Sequence, residues 1–212
     1  MRTTNIIMLA SLNKGKIAEY CDLFKQYPNI EFKTLPELVW NVGSMKEAEK
    51  GHTYRENAFS KGKLAHFAAK VPTISDDTGL EVDALGGRPG VFSARYAQPG
   101  RDETNEAACV RKLLEELKSV PKEKRTARFV CTTLFFVEGV VLESTETLEG
   151  LILETPRGSY GFGYDPIFLL KGTDKSLAEL TLQEKNKVSH RAMALASILS
   201  QLKEKGIKLV RP

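Results

Sequence analysis

The sequence is poor in cysteine, in long apolar runs and in net charge, and each shortage argues against a class of protein. Its three cysteines, Cys21, Cys109 and Cys131, are odd in number and too far apart for a zinc-binding spacing. Cysteines of this kind are typical of reduced thiols in a cytoplasmic protein, which is the localisation we predict. We expect all three to behave as small buried apolar side chains.

Charge and apolar segments are equally modest. The chain carries 31 Lys and Arg against 27 Asp and Glu, which is a formal net charge of +4. This excess suits an anionic ligand but falls well short of a nucleic-acid-binding tail. The N-terminal run IIMLA is too short for a signal peptide and no other segment could span a bilayer. We therefore expect no nucleic-acid partner and no membrane partner.

The order of the predicted elements indicates an α/β protein. An apolar and β-branched strand over residues 5–10 is followed by a helix and by a second strand near residues 30–34. A longer helix is predicted over residues 54–70, with Asn57 and Lys61 on one face. The apolar face of the first helix is predicted to contain Ile17, Tyr20, Cys21 and Phe24.

The next predicted strand carries two acids. Residues 72–74 are predicted to form a short buried strand that ends at Asp76 and Asp77, and the pair Thr78-Gly79 to form a turn. Two neighbouring carboxylates repel each other, so we expect a cation beside them. An Asp-Asp pair taken alone is more often a polar capping turn than a site.

The second half of the chain is predicted to form a helix, a β-hairpin and a last helix. Residues 129–137 and 140–148 are rich in β-branched and aromatic residues and predict the hairpin, with a further strand at 151–154. The last helix begins near Ser189. The helix before the hairpin is predicted over about residues 102–118, with Asp102 and Thr104 as candidate N-cap residues. Its inward face is predicted to contain Ala107, Val110, Leu114 and Leu117.

Five segments contain the residues that could perform chemistry. They are SLNKGK from Ser11, the surroundings of Glu49, SDDTG from Ser75, GFGYDPIF from Gly161, and Lys185 with Ser189-His190-Arg191. The first lies at a strand-to-helix junction, where backbone N–H groups favour a phosphate, although the P-loop spacing G-x-x-x-x-G-K-[ST] is absent. Aromatic residues among the glycines of the fourth indicate stacking on a ligand. Each segment alone has a plainer interpretation as a capped helix, a solvated loop or a polar turn.

Taken together and in order, these segments resemble the inosine triphosphate pyrophosphatase family, also called the Ham1-like or non-canonical purine nucleoside triphosphate pyrophosphatases. The resemblance rests on ASLNKGK, GHTYRENA, SDDTGLEVDALGGRPGVFSARYA, RGSYGFGYDPIF and KNKVSHRAMAL, and it runs nearly end to end. It implies an α/β fold with an elongated mixed β-sheet flanked by helices, two lobes with a central cleft, and a single domain over residues 1–212. It also implies a homodimer that hydrolyses ITP, dITP and XTP to the monophosphate and pyrophosphate with Mg²⁺.

The resemblance implies a role for each of several residues. Asp77 would be the general base and a metal ligand, and Lys61 the second catalytic residue. Glu49 and Asp76 would be the other carboxylates of the metal site. Because successive strand residues point to opposite faces, Asp76 and Asp77 need not both enter the site. The substrate would be bound by Ser11, Asn13, Lys16, Thr78, Phe162, Gly163, Tyr164, Asp165, Lys185, His190 and Arg191.

Recognition of the base would fall to the residues from Phe162 to Asp165 and to the basic residues of the last segment. Hypoxanthine and xanthine carry a keto oxygen where adenine carries an amine, so a donor such as His190 or Arg191 would pair with one and repel the other. Leu12 and Tyr160 depart from the family pattern in two contact loops, which bears on affinity and base preference more than on reaction type. Residues 86–90 are expected to shape the cleft and the dimer surface.

Two other functions are compatible with parts of the sequence. A metal-dependent phosphatase could use Asp77 as a covalent nucleophile and release orthophosphate first, although no D-x-D-x-[TV] motif is present. A non-catalytic nucleotide or RNA-binding module would suit the basic net charge. Such a module has no use for acids at positions 49, 76 and 77, which repel phosphate in the absence of a metal.

Overall fold

The structure is a computed structural model, and it describes residues 5–39, 50–137 and 139–207. Glu49 therefore lies outside the described residues. The strands are β1 (Ile6–Leu9), β2 (Glu31–Thr34), β3 (Thr73–Val82), β4 (Pro89–Gly90), β5 (Thr126–Val137), β6 (Val140–Ile152) and β7 (Phe168–Leu170). The α-helices are α1 (Lys14–Phe24), α2 (Leu35–Leu38), α3 (Tyr54–Ala69), α4 (Asn105–Glu116), α5 (Leu182–Lys185) and α6 (His190–Glu204).

The strands form one mixed sheet in the order β2-β1-β3-β5-β6-β7, and β4 pairs with β3. Strand β1 is parallel to β2 and to β3, as expected where a helix connects neighbouring strands. The β3–β4 and β6–β7 pairs are antiparallel. The predicted α/β fold with a mixed sheet and flanking helices is confirmed. The separate strand predicted at 151–154 is wrong, because β6 continues through Ile152.

The apolar pattern predicted the buried face of helix α1 only in part. Tyr20 and Phe24 are buried as predicted, but Cys21 is exposed. The buried face is rotated because two charged residues, Lys16 and Glu19, also point inward. Their charges are accommodated by ion pairs, so the apolar pattern alone could not locate the inward face.

Strand β3 is longer than the sequence predicted. The turn expected at Thr78-Gly79 is absent, since β3 runs without interruption to Val82 and a 3₁₀ turn follows at Asp83–Leu85. Strand β3 pairs with β1 before Thr78, with β4 after Gly79, and has β5 as its other neighbour, and this pairing outweighs the local preference of Thr-Gly for a turn. Asp76 and Asp77 therefore lie within a strand and not at its tip.

Helix α4 begins as predicted, with the Thr104 side chain accepting a hydrogen bond from Ala107 N at 3.1 Å. Its predicted inward face is confirmed at Leu117, which is buried, and at Val110 and Leu114, which pack against the core, but it is wrong at Ala107, which is exposed. Ala108, Cys109 and Leu113 are buried as well. Among residues 5–39, 50–137 and 139–207, no helix is both long and apolar enough to cross a membrane.

The chain folds into two compact units. The first comprises the described residues of Met1–Asp77, Cys131–Glu146 and Arg191–Pro212, and the second comprises Thr78–Val130 and Thr147–His190. The core of the first unit contains Ile7, Leu9, Tyr20, Phe24, Ile74, Phe135, Leu195, Ile198 and Leu202. The core of the second contains Leu80, Val82, Leu113, Leu117, Phe129, Tyr164, Ile167, Phe168 and Leu177. The central cleft and the single domain over residues 1–212 stay predictions.

Candidate active site

Charged side chains gather in the first unit around the middle of β3. We call this group the acid–cation cluster, and it consists of Lys16, Glu19, Asn57, Lys61, Asp76, Asp77 and Arg191. Helices α1, α3 and α6 and strand β3 each contribute to it. The cluster contains three cations and three carboxylates, so opposite charges can be balanced locally in spite of burial.

The loop before α1 positions the first lysine. The Ser11 hydroxyl accepts a hydrogen bond from Asn13 N at 3.2 Å, and the Asn13 side chain accepts one from Lys16 N at 3.1 Å. Asn13 is therefore the N-cap of α1, and it satisfies an N–H group that has no partner within the helix. Lys16 then extends toward Asp76, with Nζ 3.0 Å from Oδ2.

The end of the β1–β3 pairing creates an acceptor for two lysines. Ladder hydrogen bonding reaches Ala10 N and Ile74 O at 2.7 Å. Two residues later, the Asp76 carbonyl oxygen accepts hydrogen bonds from Lys16 Nζ at 3.3 Å and from Lys61 Nζ at 2.9 Å. Side-chain ammonium groups thus satisfy the carbonyl where the neighbouring strand no longer does. This arrangement brings two cations to one point.

Asp76 is the buried centre of the acid–cation cluster. Its side chain is fully buried, and Oδ2 lies 3.0 Å from Lys16 Nζ and 3.2 Å from Arg191 Nε. Burial by itself would raise the carboxyl pKa, but Lys16, Arg191 and Lys61 outweigh it and hold the pKa of Asp76 well below its usual range. Arg191 also pairs with Glu19 and is only 1% exposed. Asp76 is therefore a permanently charged partner for buried cations.

Asp77 has a different environment, although it is the next residue. Its side chain is 14% exposed, Oδ2 accepts a hydrogen bond from Asn57 Nδ2 at 2.8 Å, and Oδ1 lies 3.9 Å from Lys61 Nζ. Asn57 is held in turn by Gly51 N, which donates to its Oδ1 at 2.8 Å. Burial raises the pKa of Asp77, while Lys16, Lys61 and Asn57 oppose the shift. A partly accessible carboxylate with a raised pKa is suited to accept a proton.

Among the described residues of the acid–cation cluster, Asp77 has the one partly accessible carboxylate, since Glu19 and Asp76 are buried. Within those residues, no group of three or more His, Cys, Asp or Glu side chains is arranged to hold a metal. The Oδ2 atom of Asp76 is occupied by Lys16 and Arg191, which does not suit a ligand of a divalent cation. Asp77 fits better, because hard cations such as Mg²⁺ need only one or two carboxylates when substrate phosphates complete the coordination.

The second unit contains an aromatic–acid cluster, which we define as Phe162, Asp165 and Lys185. The Asp165 carboxylate accepts hydrogen bonds from Phe162 N at 2.9 Å and from the Lys185 ammonium. Lys185 Nζ lies 5.0 Å from the centroid of the Phe162 ring, within cation–π range. Gly161 has a φ of +74°, and a Cβ there would lie 2.2 Å from Asp165 Oδ2. Only glycine allows this close approach.

Tyr164 lies apart from the cluster although it belongs to the same loop. Its side chain is 5% exposed, and its hydroxyl donates a hydrogen bond to Ser93 O at 3.0 Å. Burial raises the pKa of Tyr164 well above its usual range. Phe162 is only partly buried, so the loop presents one ring and inserts the other into the core. This geometry favours an anchoring role for Tyr164 over stacking on a ligand.

The predicted site residues are divided between the two units. His190 is the first residue of α6 and is 2% exposed, and Thr78 follows Asp77 on β3 and is partly buried. The two departures from the family pattern are both exposed, Leu12 at 37% and Tyr160 at 56%. The first unit holds Ser11, Asn13, Lys16, Lys61, Asp76, Asp77 and Arg191. The second holds Thr78, Phe162, Gly163, Tyr164, Asp165, Lys185 and His190.

The contacts of three residues, Asn57, Glu19 and Ser93, were not predicted from the sequence. Asn57 shares a helical face with Lys61, four residues away, and this spacing was the available signal for its contact with Asp77. Glu19 pairs with Arg191, which is 172 residues distant, and no local pattern marks it. The Ser93 hydroxyl accepts a hydrogen bond from Leu80 N and donates one to Gly90 O, and the Ser93 carbonyl accepts one from the Tyr164 hydroxyl.

The chain is similar over most of its length to proteins with known names. A protein-family model described as the Ham1 family matches residues 7–201. A dITP/XTP pyrophosphatase of Bacillus subtilis (strain 168) is 46% identical over 199 residues, which cover 93% of this chain and 96% of that protein. One from Geobacter sulfurreducens is 41% identical over 209 residues, covering 95% and 98%.

Solved structures agree with the sequence comparison. The Staphylococcus aureus Ham1 protein matches with a TM-score of 0.77 at 35% identity, covering 94% of this chain and 99% of that one. A HAM1 protein from Coxiella burnetii matches with a TM-score of 0.76 at 36% identity, covering 94% and 98%.

Proposed function

Because the chain belongs to the Ham1 family, as its motifs predicted, we propose that it hydrolyses non-canonical purine nucleoside triphosphates such as dITP, XTP and ITP. The products are the nucleoside monophosphate and pyrophosphate, which would remove deaminated purines from the nucleotide pool. The observation that carries the proposal is Asp77, a partly accessible carboxylate with a raised pKa that faces Lys61 and is oriented by Asn57.

Asp77 acts as the general base. Its carboxylate takes a proton from the attacking water, the oxygen of that water bonds to the α-phosphorus, and the bond from the α-phosphorus to the bridging oxygen of pyrophosphate breaks. Asn57 holds one carboxylate oxygen at 2.8 Å and leaves the other beside Lys61, so the base has a defined orientation before substrate arrives. The raised pKa strengthens the carboxylate as a base near neutral pH.

Lys16 and Lys61 supply positive charge for the triphosphate. Both ammonium groups donate to the Asp76 carbonyl oxygen, at 3.3 and 2.9 Å, so they converge on one place. Preorganised cations stabilise charge that develops on phosphate oxygens during transfer without reorganising first. The buried carboxylate of Asp76 balances the charge of these cations. Asp77 would hold the metal ion, with Glu49 as a second carboxylate, while Asp76 is better suited to orienting Lys16 and Arg191.

A divalent cation, which we propose to be Mg²⁺, would neutralise the phosphates and polarise the scissile phosphate group when bound. The triphosphate itself supplies further oxygen ligands, so the partly accessible carboxylate of Asp77 in the acid–cation cluster is compatible with binding.

The aromatic–acid cluster is the proposed site for the base. Phe162 offers a partly exposed ring face. We assign hydrogen-bond donation to a keto oxygen to Lys185, which already lies beside that ring, and to His190. Donors that are left unpaired by adenine disfavour ATP, since unpaired buried polar groups are costly. Arg191, which the sequence suggested as a second reader, is committed to Glu19 and Asp76, so we assign it to the acid–cation cluster.

The partner and the compartment are part of the same proposal. We propose a homodimer in the cytoplasm, without nucleic-acid or membrane partners, and residues 86–90 as part of the dimer surface. Gel filtration with light scattering tests the proposed homodimer, because a monomeric mass at micromolar concentration would contradict it.

The experiment that tests the activity is a substrate panel. Release of pyrophosphate from dITP, XTP and ITP is compared with release from ATP and GTP in Mg²⁺, with EDTA as the control. We expect fast release from the keto purines lacking a 2-amino group, slow release from ATP, and none in EDTA. Equal rates with ATP would refute the substrate class, and orthophosphate as first product would point to a phosphatase instead.

A further inference from the structure

Three aromatic rings lie in a row within the second unit. The Phe129 ring on β5 is stacked on the His190 imidazole, with 5.1 Å between centroids and 13° between planes. Phe129 also contacts Phe168, at 4.7 Å and 44°. Their exposed fractions are 7% for Phe129, 2% for His190 and 0% for Phe168, so all three rings are in the protein interior.

This row of rings joins two segments that carry proposed base-binding residues. Phe168 directly follows the turn Asp165–Ile167, which closes the glycine-rich loop with Phe162. His190 begins α6, five residues after Lys185. Phe129 belongs to neither segment but contacts a residue from each. Movement of the Phe129 ring would therefore change the placement of both.

A parallel stack restricts how the imidazole can rotate. Aromatic pairs prefer particular offsets and angles, whereas an aliphatic side chain of similar size contacts a ring face without such a preference. We propose that Phe129 is a positioning residue for base recognition, which sets the plane of the His190 imidazole relative to the glycine-rich loop. This inference rests on the proposed function, because the plane of His190 affects catalysis only where the imidazole meets a purine.

The expected effect lies in substrate affinity and not in the chemical step. Phe129 belongs to the second unit, while Asp77, Lys16 and Lys61 belong to the first. Loss of an oriented donor lowers binding of a keto purine and removes part of the discrimination against an amino purine. A general loss of stability would instead affect all substrates in proportion.

The same strand provides a matched control. Phe136 is also on β5, is 5% exposed, and is stacked on a different histidine, His66, at 5.9 Å and 29°. His66 is not among the proposed site residues. The chain has three histidines, so each imidazole gives a separable proton resonance whose position reports the ring current of a stacked phenylalanine.

The experiment compares Phe129→Leu with Phe136→Leu. In Phe129→Leu the His190 resonance should move, KM for dITP should rise about two- to tenfold, and the preference for dITP over ATP should fall by the same factor. The value of kcat should change by less than about twofold. In Phe136→Leu the His66 resonance should move while the preference stays at the parent value.

Two results would overturn the proposal. One is a His190 resonance that does not move in Phe129→Leu, and the other is a resonance that moves while KM and the preference stay unchanged. A parent enzyme that does not prefer dITP to ATP would refute the proposed function and not the stacking role. If Phe129→Leu does not fold, Phe129→Met, which fills the site without a ring, is measured with the same two criteria.

Discussion

The same substitution should lower the thermal stability at Asp76 and leave it nearly unchanged at Asp77. Asp76→Asn removes the charge that compensates Lys16 and Arg191 in the interior, at 3.0 and 3.2 Å from Oδ2. Removing one partner of a buried ion pair lowers the free energy of unfolding by about 3–5 kcal/mol. In a protein of this size, about 2–4 °C of Tm corresponds to 1 kcal/mol, so we expect Tm to fall by about 6–20 °C.

Asp77→Asn should leave Tm nearly unchanged. The pKa of Asp77 is raised in the folded protein, so at neutral pH the charged form is held less favourably in the folded state than in the unfolded state. A neutral amide of the same shape relieves this cost and can keep the contact with Asn57. We expect a Tm within about 4 °C of the parent, equivalent to about 1 kcal/mol. Pyrophosphate release should nevertheless be abolished, because the amide cannot accept the proton of water.

The assay is thermal unfolding of the parent and both variants, without nucleotide or divalent cation, because either ligand would change Tm by binding the folded state. Addition of Lys16→Met to Asp76→Asn provides a double-mutant cycle, and the combined loss should be smaller than the sum by about 0.5–3 kcal/mol. Equal Tm values for Asp76→Asn and Asp77→Asn, or strictly additive losses in the cycle, would refute the division of roles between the two acids.

Three further predictions concern the loop and the thiols. Tyr164→Phe removes the hydrogen bond to Ser93 O and should cost about 1 kcal/mol of stability without altering the dITP-to-ATP preference; a changed preference would show that Tyr164 contacts the base. Gly161→Ala should reduce the affinity for dITP far more than Gly163→Ala. A Cβ added at residue 161 would lie 2.2 Å from Asp165 Oδ2, whereas none of the described atoms lies within 4 Å of a Cβ added at residue 163. Equal KM values for the two variants would contradict this prediction. Ellman's reagent should react quickly with one thiol of the native protein, because Cys21 is exposed. Cys109 and Cys131 are buried, and burial raises the pKa of Cys131 to about 11, so both should react slowly. Three fast thiols would be inconsistent with the burial of these two cysteines.

The sequence was sufficient where local pattern and local structure coincide. Strand β1, helix α1 and the capped start of α4 follow from apolar periodicity and from side chains that bond to nearby N–H groups. It was insufficient at Thr78-Gly79, where a local turn preference was overruled by pairing with neighbouring strands. The inward face of α1 was predicted only in part, because Tyr20 and Phe24 are buried as expected but Lys16 and Glu19 are buried only through partners elsewhere in the chain.

In the candidate site, too, the sequence determined some features and only the tertiary structure decided the others. The sequence by itself determined the family, the reaction class and the candidates Asp77 and Lys16, because these residues belong to short contiguous motifs. Lys61 lies outside those motifs and became a candidate through the resemblance and through the helical face that it shares with Asn57. Only the tertiary structure decided that Asp76 is the buried charge and Asp77 the partly accessible one, since alternation along a strand separates the two side chains without saying which face is inside. Arg191 reaches Asp76 across 115 residues and Glu19 across 172. Ion pairs at such separations form only when the fold brings distant segments together, and burial then sets their pKa values and their energies.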